Sequence, residues 1–227
     1  WVVRLLSAHN NYYPLKVLME HAIGEGMVLD IFKDVLMQTL PDSDPRVPEI
    51  KKKLAIAESA KRMVTEGMNI AIDGSTTGLE FARRLRDAKG ITVVTNNVGV
   101  LWEFHDQPGV SVIMLGGSLA GDGNTIEGTF AVEHANQIYV DMFFFSCAGF
   151  DEVSITNSTH MGSDVKRALL ANAKQNILIA DSTKFGKRGF LKLFEWSDVD
   201  ILITDDEISD DAVASLKDRA PHLRVDI

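Results

Sequence analysis

Short apolar runs alternate with amphipathic segments from residue 67 to the end of the chain. The apolar runs are almost continuous Val, Ile, Leu and Phe, which is typical of strands covered on both faces. They predict strands at 69–72, 91–94, 111–115, 142–147, 176–180 and 201–204. Apolar positions at helical spacing predict helices at 78–85, 98–104, 131–138, 164–173 and 210–219. This alternation predicts an α/β fold with a mostly parallel sheet and helices on both faces.

The beginning of the chain follows a different pattern. Apolar stripes at helical spacing predict helices within 1–40, and the prolines and aspartates of 41–48 predict a linker. A long amphipathic helix is predicted at 49–66, where a glycine follows it. We therefore divide the chain into a helical N-terminal segment with its Pro-rich linker, 1–48, and an α/β domain, 49–227.

Composition and charge narrow the class of protein. Of the 227 residues, 45% are hydrophobic and 24% are charged, which is typical of a globular chain. The sequence has no apolar run of about 18 residues that would predict a membrane helix. The single cysteine, Cys147, cannot form an internal disulfide, and a cytoplasmic location is expected. The net charge of −9 makes the chain itself a poor nucleic-acid binder, because phosphate contacts need clustered Lys and Arg. The chain begins at Trp1 rather than Met, and we interpret it as a fragment whose true N-terminus lies upstream.

Small, hydroxylated and acidic residues follow almost every predicted strand. Ligands of open α/β sheets bind beyond the carboxyl ends of the strands, so this composition predicts a polar crevice for a ligand with many hydroxyl groups. The candidate binding residues, with one lysine from a predicted helix, are Asp73, Gly74, Ser75, Thr76, Thr77, Thr95, Asn96, Asn97, Gly116, Gly117, Gly149, Asp151, Lys166, Asp181 and Lys184. No cluster has the spacing of metal ligands, and neither a metal nor another cofactor is expected.

The loop 73–77 opens a predicted helix and is a candidate phosphate site. Backbone N–H groups at a helix start, together with the hydroxyls of Ser75, Thr76 and Thr77, suit a phosphate. The alternative is an ordinary turn in which Ser or Thr caps the helix. The loop is neither a Walker A sequence nor a dinucleotide-binding G-x-G-x-x-G, so the pattern alone leaves both interpretations open.

Several of the other candidates have a structural alternative. Asn96 and Asn97 could bind ligand hydroxyls or shape a turn. The pair Gly116 and Gly117 indicates either a close backbone approach or a positive φ. Asp151 could bind a sugar hydroxyl or stay solvated.

The charged candidates leave the same choice open. Lys184 could neutralise a phosphate or pair with Asp181, and a surface pair would mean little for stability. Lys166 stands near the start of a predicted helix, where positive charge opposes the helix dipole, and this is a weak indication of a role. Asp141, before the Phe-rich strand, has the same two alternatives as Asp151. We expect Cys147 to be a small buried apolar group.

A series of short motifs follows the predicted strands in a fixed order. The motifs are AIDGSTTG (71–78), VVTNN (93–97), LGG (115–117), Gly128-Thr129, Asp141 before a strand ending at Gly149, VKRAL (165–169), IADSTKFG (179–186) and DILITDD (200–206). Each is weak alone, but the ordered set resembles the C-terminal effector-sensing domain of the DeoR family of sugar-metabolism transcriptional regulators, over about residues 49–227. The resemblance implies a fold similar to ribose-5-phosphate isomerase, a phosphorylated sugar or polyol as ligand, and a phosphate cradle in the DGSTT loop.

Two features depart from that family. Its members carry an N-terminal winged helix-turn-helix with a Val-Ser-x-x-Thr-Ile-Arg-Arg-Asp-Leu recognition stretch, and residues 1–48 contain no such stretch. Operator DNA is therefore expected as a partner only through a DNA-binding head that is not recognisable in this chain. An acidic residue usually stands a few positions before the Lys166-Arg167 pair, and this chain has Met-Gly-Ser at 161–163.

Two functions follow from these features. The resemblance implies the ligand-sensing domain of a DeoR-type regulator, a repressor of carbohydrate metabolism that is not an enzyme and whose effector modulates DNA binding. The alternative is a sugar-phosphate isomerase or a related enzyme on the same fold, with Asp73, Asp141 or Asp151 as base and Lys184 as electrophile. Because regulators of this class read two-fold operators, a homodimer or homotetramer is expected, with residues 1–48 either contributing to the contact or docking back on the α/β domain.

Overall fold

The computed structural model describes residues 47–227, in which strands alternate with helices. In chain order the strands are β1 (Asn69–Ile72), β2 (Ile91–Thr95), β3 (Val110–Met114), β4 (Ser118–Leu119), β5 (Ile126–Glu127), β6 (Val140–Phe145), β7 (Gly149–Phe150), β8 (Ile155–Asn157), β9 (Ala173–Ile179), β10 (Leu191–Phe194), β11 (Ile201–Ile203) and β12 (Arg224–Asp226). The helices are α1 (Val47–Lys61), α2 (Thr76–Arg84), α3 (Val98–Glu103), α4 (Thr129–Ala135), α5 (His160–Ala171) and α6 (Asp210–Arg219). The predicted helical segment at 1–48 lies outside the described residues, except for its last two positions, and stays a prediction.

A parallel sheet of seven strands forms the centre of the domain; the sequence predicts the parallel sheet and six of these strands but misses β12. The strands lie in the order β12-β11-β9-β6-β1-β2-β3, and all neighbours run in the same direction. Buried residues of α1, α2 and α3 pack on one face, and those of α4, α5 and α6 pack on the other. No helix between residues 47 and 227 is long and apolar enough to cross a membrane.

The central strand β6 shows why both faces are covered. Its three consecutive phenylalanines are fully buried, and alternate residues of a strand point to opposite faces. Phe143 and Phe145 stack on each other with ring centroids 5.1 Å apart, whereas Phe144 meets Phe81 of α2 at 4.4 Å on the other face. One short segment therefore contributes to both apolar layers, which places β6 in the middle of the sheet.

Helix α1 ends earlier than its apolar stripe predicts. It ends at Lys61, after which Met63 donates to the carbonyl of Ala60 and Val64 to that of Lys61, both at 3.1 Å. These tighter turns bring the chain round toward β1 while the side chains of Met63 and Val64 still pack on the core. The apolar spacing therefore continues through a segment that is no longer an α-helix.

Two small antiparallel sheets were not predicted from the sequence. Strands β4 and β5 form a hairpin, and β7, β8 and β10 form a sheet in the order β10-β8-β7. These strands have two to four residues each, and none of them is a continuous run of apolar residues like those that predict the strands of the main sheet. Both sheets begin just beyond the carboxyl ends of strands of the main sheet, and they surround the region where a ligand is expected.

The strand order reverses between β1 and β6. From β1 the chain moves outward through β2 and β3, and it then returns to the other side of β1 with β6, β9, β11 and β12. The loops after β1 and β6 consequently lead away from each other and leave a crevice at the carboxyl edge of the sheet. Such a switch point is where open α/β sheets bind their ligands.

Candidate functional site

The crevice is lined by polar residues that follow the three central strands. Asp73 comes after β1, Ser146 after β6 and Asp181 after β9, and all three are buried. Parallel neighbours bring these strand ends to one edge, which confirms that the segments following different strands converge. Among residues 47–227 no group of His, Cys, Asp and Glu is arranged to hold a metal ion.

The carboxylate of Asp73 is bound by donors on all sides. Its Oδ1 accepts hydrogen bonds from the amide and the hydroxyl of Ser75, the amide at 3.1 Å. Its Oδ2 accepts from the amide of Ser146 at 3.0 Å and from the ammonium of Lys166 at 2.7 Å. Lys166 also donates to the carbonyl of Ser146 at 2.6 Å, so one lysine links the ends of β1 and β6. A buried carboxylate is stable only with such partners.

Lys166 occupies a different place in its helix from the one predicted. Helix α5 begins at His160 rather than at 164, so Lys166 lies inside the helix and not at its unfavourable first turn. The predicted conflict with the helix dipole is therefore wrong, although the lysine does reach the crevice. Lys166 lies on the side of α5 that faces the ends of β1 and β6.

The start of α2 carries unfilled hydrogen-bond donors. Ser75 is its N-cap, and the Ser75 hydroxyl accepts from the amide of Gly78 at 2.9 Å. The amides of Gly74, Thr76 and Thr77 donate to no acceptor among residues 47–227, and the buried hydroxyl of Thr77 has no partner there either. Both sequence-based interpretations are therefore compatible, because Ser75 caps the helix while its neighbours keep donors for an oxyanion.

Lys184 stands on the opposite wall of the crevice. It ends a 3₁₀ turn, Ser182–Lys184, and its ammonium donates to the hydroxyl of Ser146 at 2.9 Å. The same ammonium lies 4.0 Å from the Asp181 carboxylate, so this pair is a loose one. Asp205, after β11, fixes the turn by accepting from the amide and the hydroxyl of Ser182, both at 2.7 Å. Lys184 is thus held at the crevice rather than on the outer surface.

Cys147 lies beside the same charges and is buried, as expected. Burial raises the pKa of its thiol to about 11, while the ammonium groups of Lys184 and Lys166 act to lower the pKa and the carboxylates of Asp73 and Asp181 to raise it. The thiol therefore stays protonated and acts as a small apolar group in the core.

The residues after β2 shape the backbone around the crevice. The hydroxyl of Thr95 donates to the carbonyl of Ile72 at 2.8 Å. The side chain of Asn97 caps α3 by accepting from the Gly99 amide at 2.8 Å, and the Asn96 amide group donates to the carbonyl of Ile126 at 2.9 Å. These hydrogen bonds of Asn96 and Asn97 correspond to the turn-shaping alternative. Ligand binding by these two residues stays a prediction.

Two of the candidate glycines, Gly117 and Gly149, are sites of close backbone approach. A Cβ on Gly117 would lie 2.6 Å from the carbonyl oxygen of Glu127, and one on Gly149 would lie 2.3 Å from that of Lys187. The Gly116 amide meets the ring of His134 at 3.4 Å. Gly117 and Gly149 therefore have no room for a side chain, and Gly117 also has a positive φ of 156°, so Gly117 meets both alternatives predicted for the glycine pair and Gly116 meets neither.

Asp151 and Asp141 have structural partners. Asp151 accepts from two amides of the turn that follows it, each at 2.9 Å, and pairs with Arg188. Burial acts to raise the pKa of Asp151, but the bonds from Arg188 and these amides hold it below its usual range. Asp141 lies at the amino end of β6, where it accepts from the amide of Asn69 at 2.9 Å. The two acidic residues are therefore at different places, and Asp141 is at the edge opposite to the crevice.

The hairpin of β4 and β5 lies against the loop that follows β1. A Cβ on Gly74 would meet the Thr125 methyl carbon at 2.8 Å, so only glycine fits beneath the hairpin without a shift. Thr125 is fixed by Asp122, which accepts from its amide at 2.9 Å and from its hydroxyl at 2.6 Å. The hairpin thus forms a cover over one side of the crevice, and nothing in the sequence pattern predicted it.

Comparison with known proteins identifies relatives of the described domain. A family model described as the DeoR C terminal sensor domain matches residues 49–206. An uncharacterised HTH-type transcriptional regulator of Bacillus subtilis, YulB, is 32% identical over 78% of this chain and 69% of its own length. The HTH-type transcriptional regulator GolR of Listeria innocua is 30% identical over 74% of this chain and 66% of its own length. A glycerol-3-phosphate regulon repressor of Haemophilus influenzae is 30% identical over 68% of this chain and 61% of its own length. The chain spans about two thirds of the length of these relatives.

Solved structures of other proteins resemble the domain more distantly. Ribose 5-phosphate isomerase A of Methanocaldococcus jannaschii matches with a TM-score of 0.43 and 15% identity, over 59% of this chain and 53% of that protein. The translation initiation factor eIF-2B of Pyrococcus horikoshii matches with a TM-score of 0.47 and 14% identity, over 68% of this chain and 62% of that protein.

Proposed function

The chain belongs to the family of DeoR C-terminal sensor domains, and we propose on that basis that its α/β domain binds a phosphorylated sugar or polyol and thereby modulates DNA binding by a transcriptional repressor. The match confirms the family resemblance inferred from the motif series. Relatives of the chain are named as transcriptional regulators, and one is named for a glycerol-3-phosphate regulon. The effector of this chain, its operator and its cytoplasmic location are parts of the proposal.

One observation carries the proposal: unfilled amide donors and two ammonium groups meet at the switch point. The amides of Gly74, Thr76 and Thr77 stand at the positive end of α2, where an oxyanion gains from both the hydrogen bonds and the dipole. Lys166 and Lys184 converge on Ser146 from the other side. We assign the phosphate to the start of α2 and the sugar hydroxyls to the polar strand ends beside it.

Sensing requires that the ligand favour one state of the protein. A ligand shifts an equilibrium only by its differential affinity for the two states. The walls of the crevice belong to different elements, with the phosphate donors on α2 and the cations on α5 and the Ser182–Lys184 turn. A ligand that contacts all three draws them together, and we propose that this closure is the signal passed to the DNA-binding part.

The alternative of an isomerase has weaker support in the geometry. A general base must be able to reach a substrate proton. Asp73 is already bound by Ser75, Ser146 and Lys166, and Asp151 is paired with Arg188. Asp141 lies at the other edge of the sheet. The candidate bases are thus employed in holding the fold, which favours binding without turnover.

A panel of ligands and one substitution test the proposal. Thermal unfolding is measured with ribose 5-phosphate, glucose 6-phosphate, glycerol 3-phosphate and the unphosphorylated compounds. A ligand at 100 times its dissociation constant stabilises the fold by about 2.7 kcal/mol, and only phosphorylated compounds should do so. Thr76→Asp places a carboxylate at the phosphate position and should abolish the shift, whereas Thr76→Ser keeps the hydroxyl and the amide and should retain it.

Two outcomes would contradict the proposal. Equal stabilisation by phosphorylated and unphosphorylated compounds would show that the site does not recognise the phosphate group. Formation of a ketose from ribose 5-phosphate at a useful rate would show that the domain is an isomerase and not only a sensor.

A further inference from the structure

Two consecutive lysines of α1, Lys52 and Lys53, contact residues on two walls of the crevice. The ammonium of Lys52 donates to the Ser182 hydroxyl at 2.9 Å and to the Glu207 carboxylate at 2.8 Å, and lies 3.4 Å from that of Asp205. Burial acts to lower the pKa of Lys52, but its bonds to Glu207 and Asp205 raise the pKa above the usual value. Lys52 is therefore a charged, buried tie between α1 and the turn that carries Lys184.

The next lysine reaches the opposite wall. Lys53 donates to the hydroxyl of Thr76 at 3.1 Å and is paired with Glu49 one turn earlier on α1. The Lys53 side chain is 12% exposed, whereas that of Glu49 is 58% exposed. Thr76 is the first residue of α2 and has one of the unfilled amides. Lys53 thus stands one hydrogen bond away from the proposed phosphate position.

The charges of the crevice show why this lysine matters. Lys166 and Lys184 face two carboxylates, those of Asp73 and Asp181, so these four side chains cancel. A phosphate dianion brought into such a neutral crevice needs additional positive charge. The partner of Lys53 is a largely hydrated carboxylate, and an ion pair with one solvent-exposed member is weakened by solvent screening. A dianion held by amides is a stronger acceptor for the same ammonium.

We propose that Lys53 is a further ligand of the bound anion and that its transfer from Glu49 to the anion makes α1 the element that reports occupancy. This inference rests on the proposed function and specifies its regulation. The body of α1 is held on the sheet by Ile56, Ala57 and Ala60, all fully buried, so the change is confined to its first turns. An i,i+4 pair of Glu and Lys supports a helix, and its loss loosens that part of α1. These turns begin at Val47, so they overlap the last two residues of the predicted linker 41–48.

Calorimetric titration of four variants tests the binding part. The probes are ribose 5-phosphate, glucose 6-phosphate, glycerol 3-phosphate and inorganic phosphate. Lys53→Met and Lys53→Gln should each weaken binding of every probe at least tenfold, and Glu49→Gln should strengthen it several-fold because a competitor is removed. Lys61→Met is the matched control, since Lys61 pairs with Asp87 at 2.8 Å at the other end of α1. This control removes the same charge from the same helix and should leave the affinity unchanged.

Hydrogen–deuterium exchange tests the reporting part. In the unmodified protein, a saturating probe should slow exchange of the amides at 76–78 and speed it at 50–53. In Lys53→Met at saturation, the protection at 76–78 should remain while the response at 50–53 disappears. Opposite signs in two neighbouring elements would not arise from a general gain in stability.

The possible failures can be told apart. If the unmodified protein binds the probes but both Lys53 variants bind equally well and α1 responds as before, this inference falls and the proposed function stands. If the unmodified protein binds none of the probes, the proposed function falls and this inference falls with it. Far-ultraviolet circular dichroism and the melting temperature without probe must match the unmodified protein for each variant, and Lys53→Gln serves if the Met variant fails that check.

Discussion

Single residues decide the charge of the crevice. Asp73 is buried with four donors around it, and two of these come from residues that follow other strands or lie on another helix. This carboxylate holds the ends of β1 and β6 together and fixes the ammonium of Lys166 beside them. Lys184 has a looser attachment, a hydroxyl at 2.9 Å and a carboxylate at 4.0 Å. It is therefore the cation that can turn toward an incoming anion at the lower cost.

Replacement of Lys184 tests this assignment. Lys184→Met should weaken phosphosugar binding by more than tenfold, about 1.4 kcal/mol, because the ammonium that we propose to neutralise the phosphate is lost. Lys187→Met, three positions further on at an exposed residue, is the matched control and should bind normally. Calorimetric titration measures both, and equal affinities would make Lys184 a structural charge only.

The thiol of Cys147 gives a second test at this scale. Burial raises its pKa to about 11, so at pH 8 the native protein contains almost no thiolate. An aromatic disulfide reagent should therefore react very slowly with the folded protein and quickly in guanidinium chloride, where the ordinary thiol pKa of about 8.5 returns. As the pH rises toward 11, the native rate should increase. Rapid reaction of the native protein at pH 8 would contradict the burial.

At the scale of elements, α5 is joined to the sheet by a buried ion pair. Lys166 brings its ammonium to the end of β1, and removal of one partner leaves the other charge buried without an opposite charge. Apolar packing of Val165 and Leu169 holds the same helix. The ion pair therefore does not create the contact between α5 and the sheet. It adds to the apolar packing and fixes the position of α5 along the sheet.

Urea unfolding of two lysine variants tests that tie. Lys166→Met should lower the free energy of unfolding by about 3–5 kcal/mol, because the buried carboxylate of Asp73 loses its partner ammonium. Lys174→Met removes an exposed partner of Asp141, 77% accessible, and should cost less than about 1 kcal/mol. The double variant Asp73→Asn/Lys166→Met should recover part of the loss. Equal stability of the two single variants would show that the buried pair is not needed.

The elements also show what a sequence can predict. The strands at 69–72 and 201–204 and the helix at 210–219 agree with the structure to within a residue at each end, because continuous apolar runs and a clear helical period reflect burial. The convergence of the loops after β1 and β9 followed from the parallel topology. Strands β4 and β7 were missed, because two residues carry no period.

The roles of single side chains were harder to predict than the elements. Asn97 fits a ligand site or a helix cap equally well by type, and only the structure shows the cap. Lys52, Lys53 and Ser146 were not predicted, since their contacts join residues far apart in the chain. A side chain's partner across such a separation is determined by the packing of helices on the sheet, and no local pattern records it.

For the whole molecule, the acidic net charge predicts that these 227 residues have no affinity for DNA of their own. The net charge is −9, and residues 1–48 show no recognition stretch, so these 227 residues should give no specific complex with operator DNA in a gel shift at physiological salt. A specific complex would reveal a DNA-reading segment that the sequence pattern does not indicate.

The same scale includes the oligomeric state. We expect a homodimer or homotetramer, because two-fold operators require paired regulators. Light scattering should give two or four times the chain mass of 25.0 kDa for the intact chain. A chain that starts at Pro48 should dissociate if residues 1–48 form the contact. A monomer for the intact chain would contradict the expectation, and an unchanged oligomer after truncation would move the contact to the α/β domain.

The position of β6 between β1 and β9 has a consequence for synthesis on the ribosome. The strand pairs with β1, yet β2 to β5 lie between the two in the sequence. A nascent chain that has delivered β1, β2 and β3 but not β6 therefore presents one side of β1 as an open edge, and such edges attract other chains. Contacts between distant residues also slow folding. The crevice is complete only after Lys184 and Asp205 have emerged, so a growing chain passes through most of its synthesis unable to respond to any effector and in need of protection against aggregation.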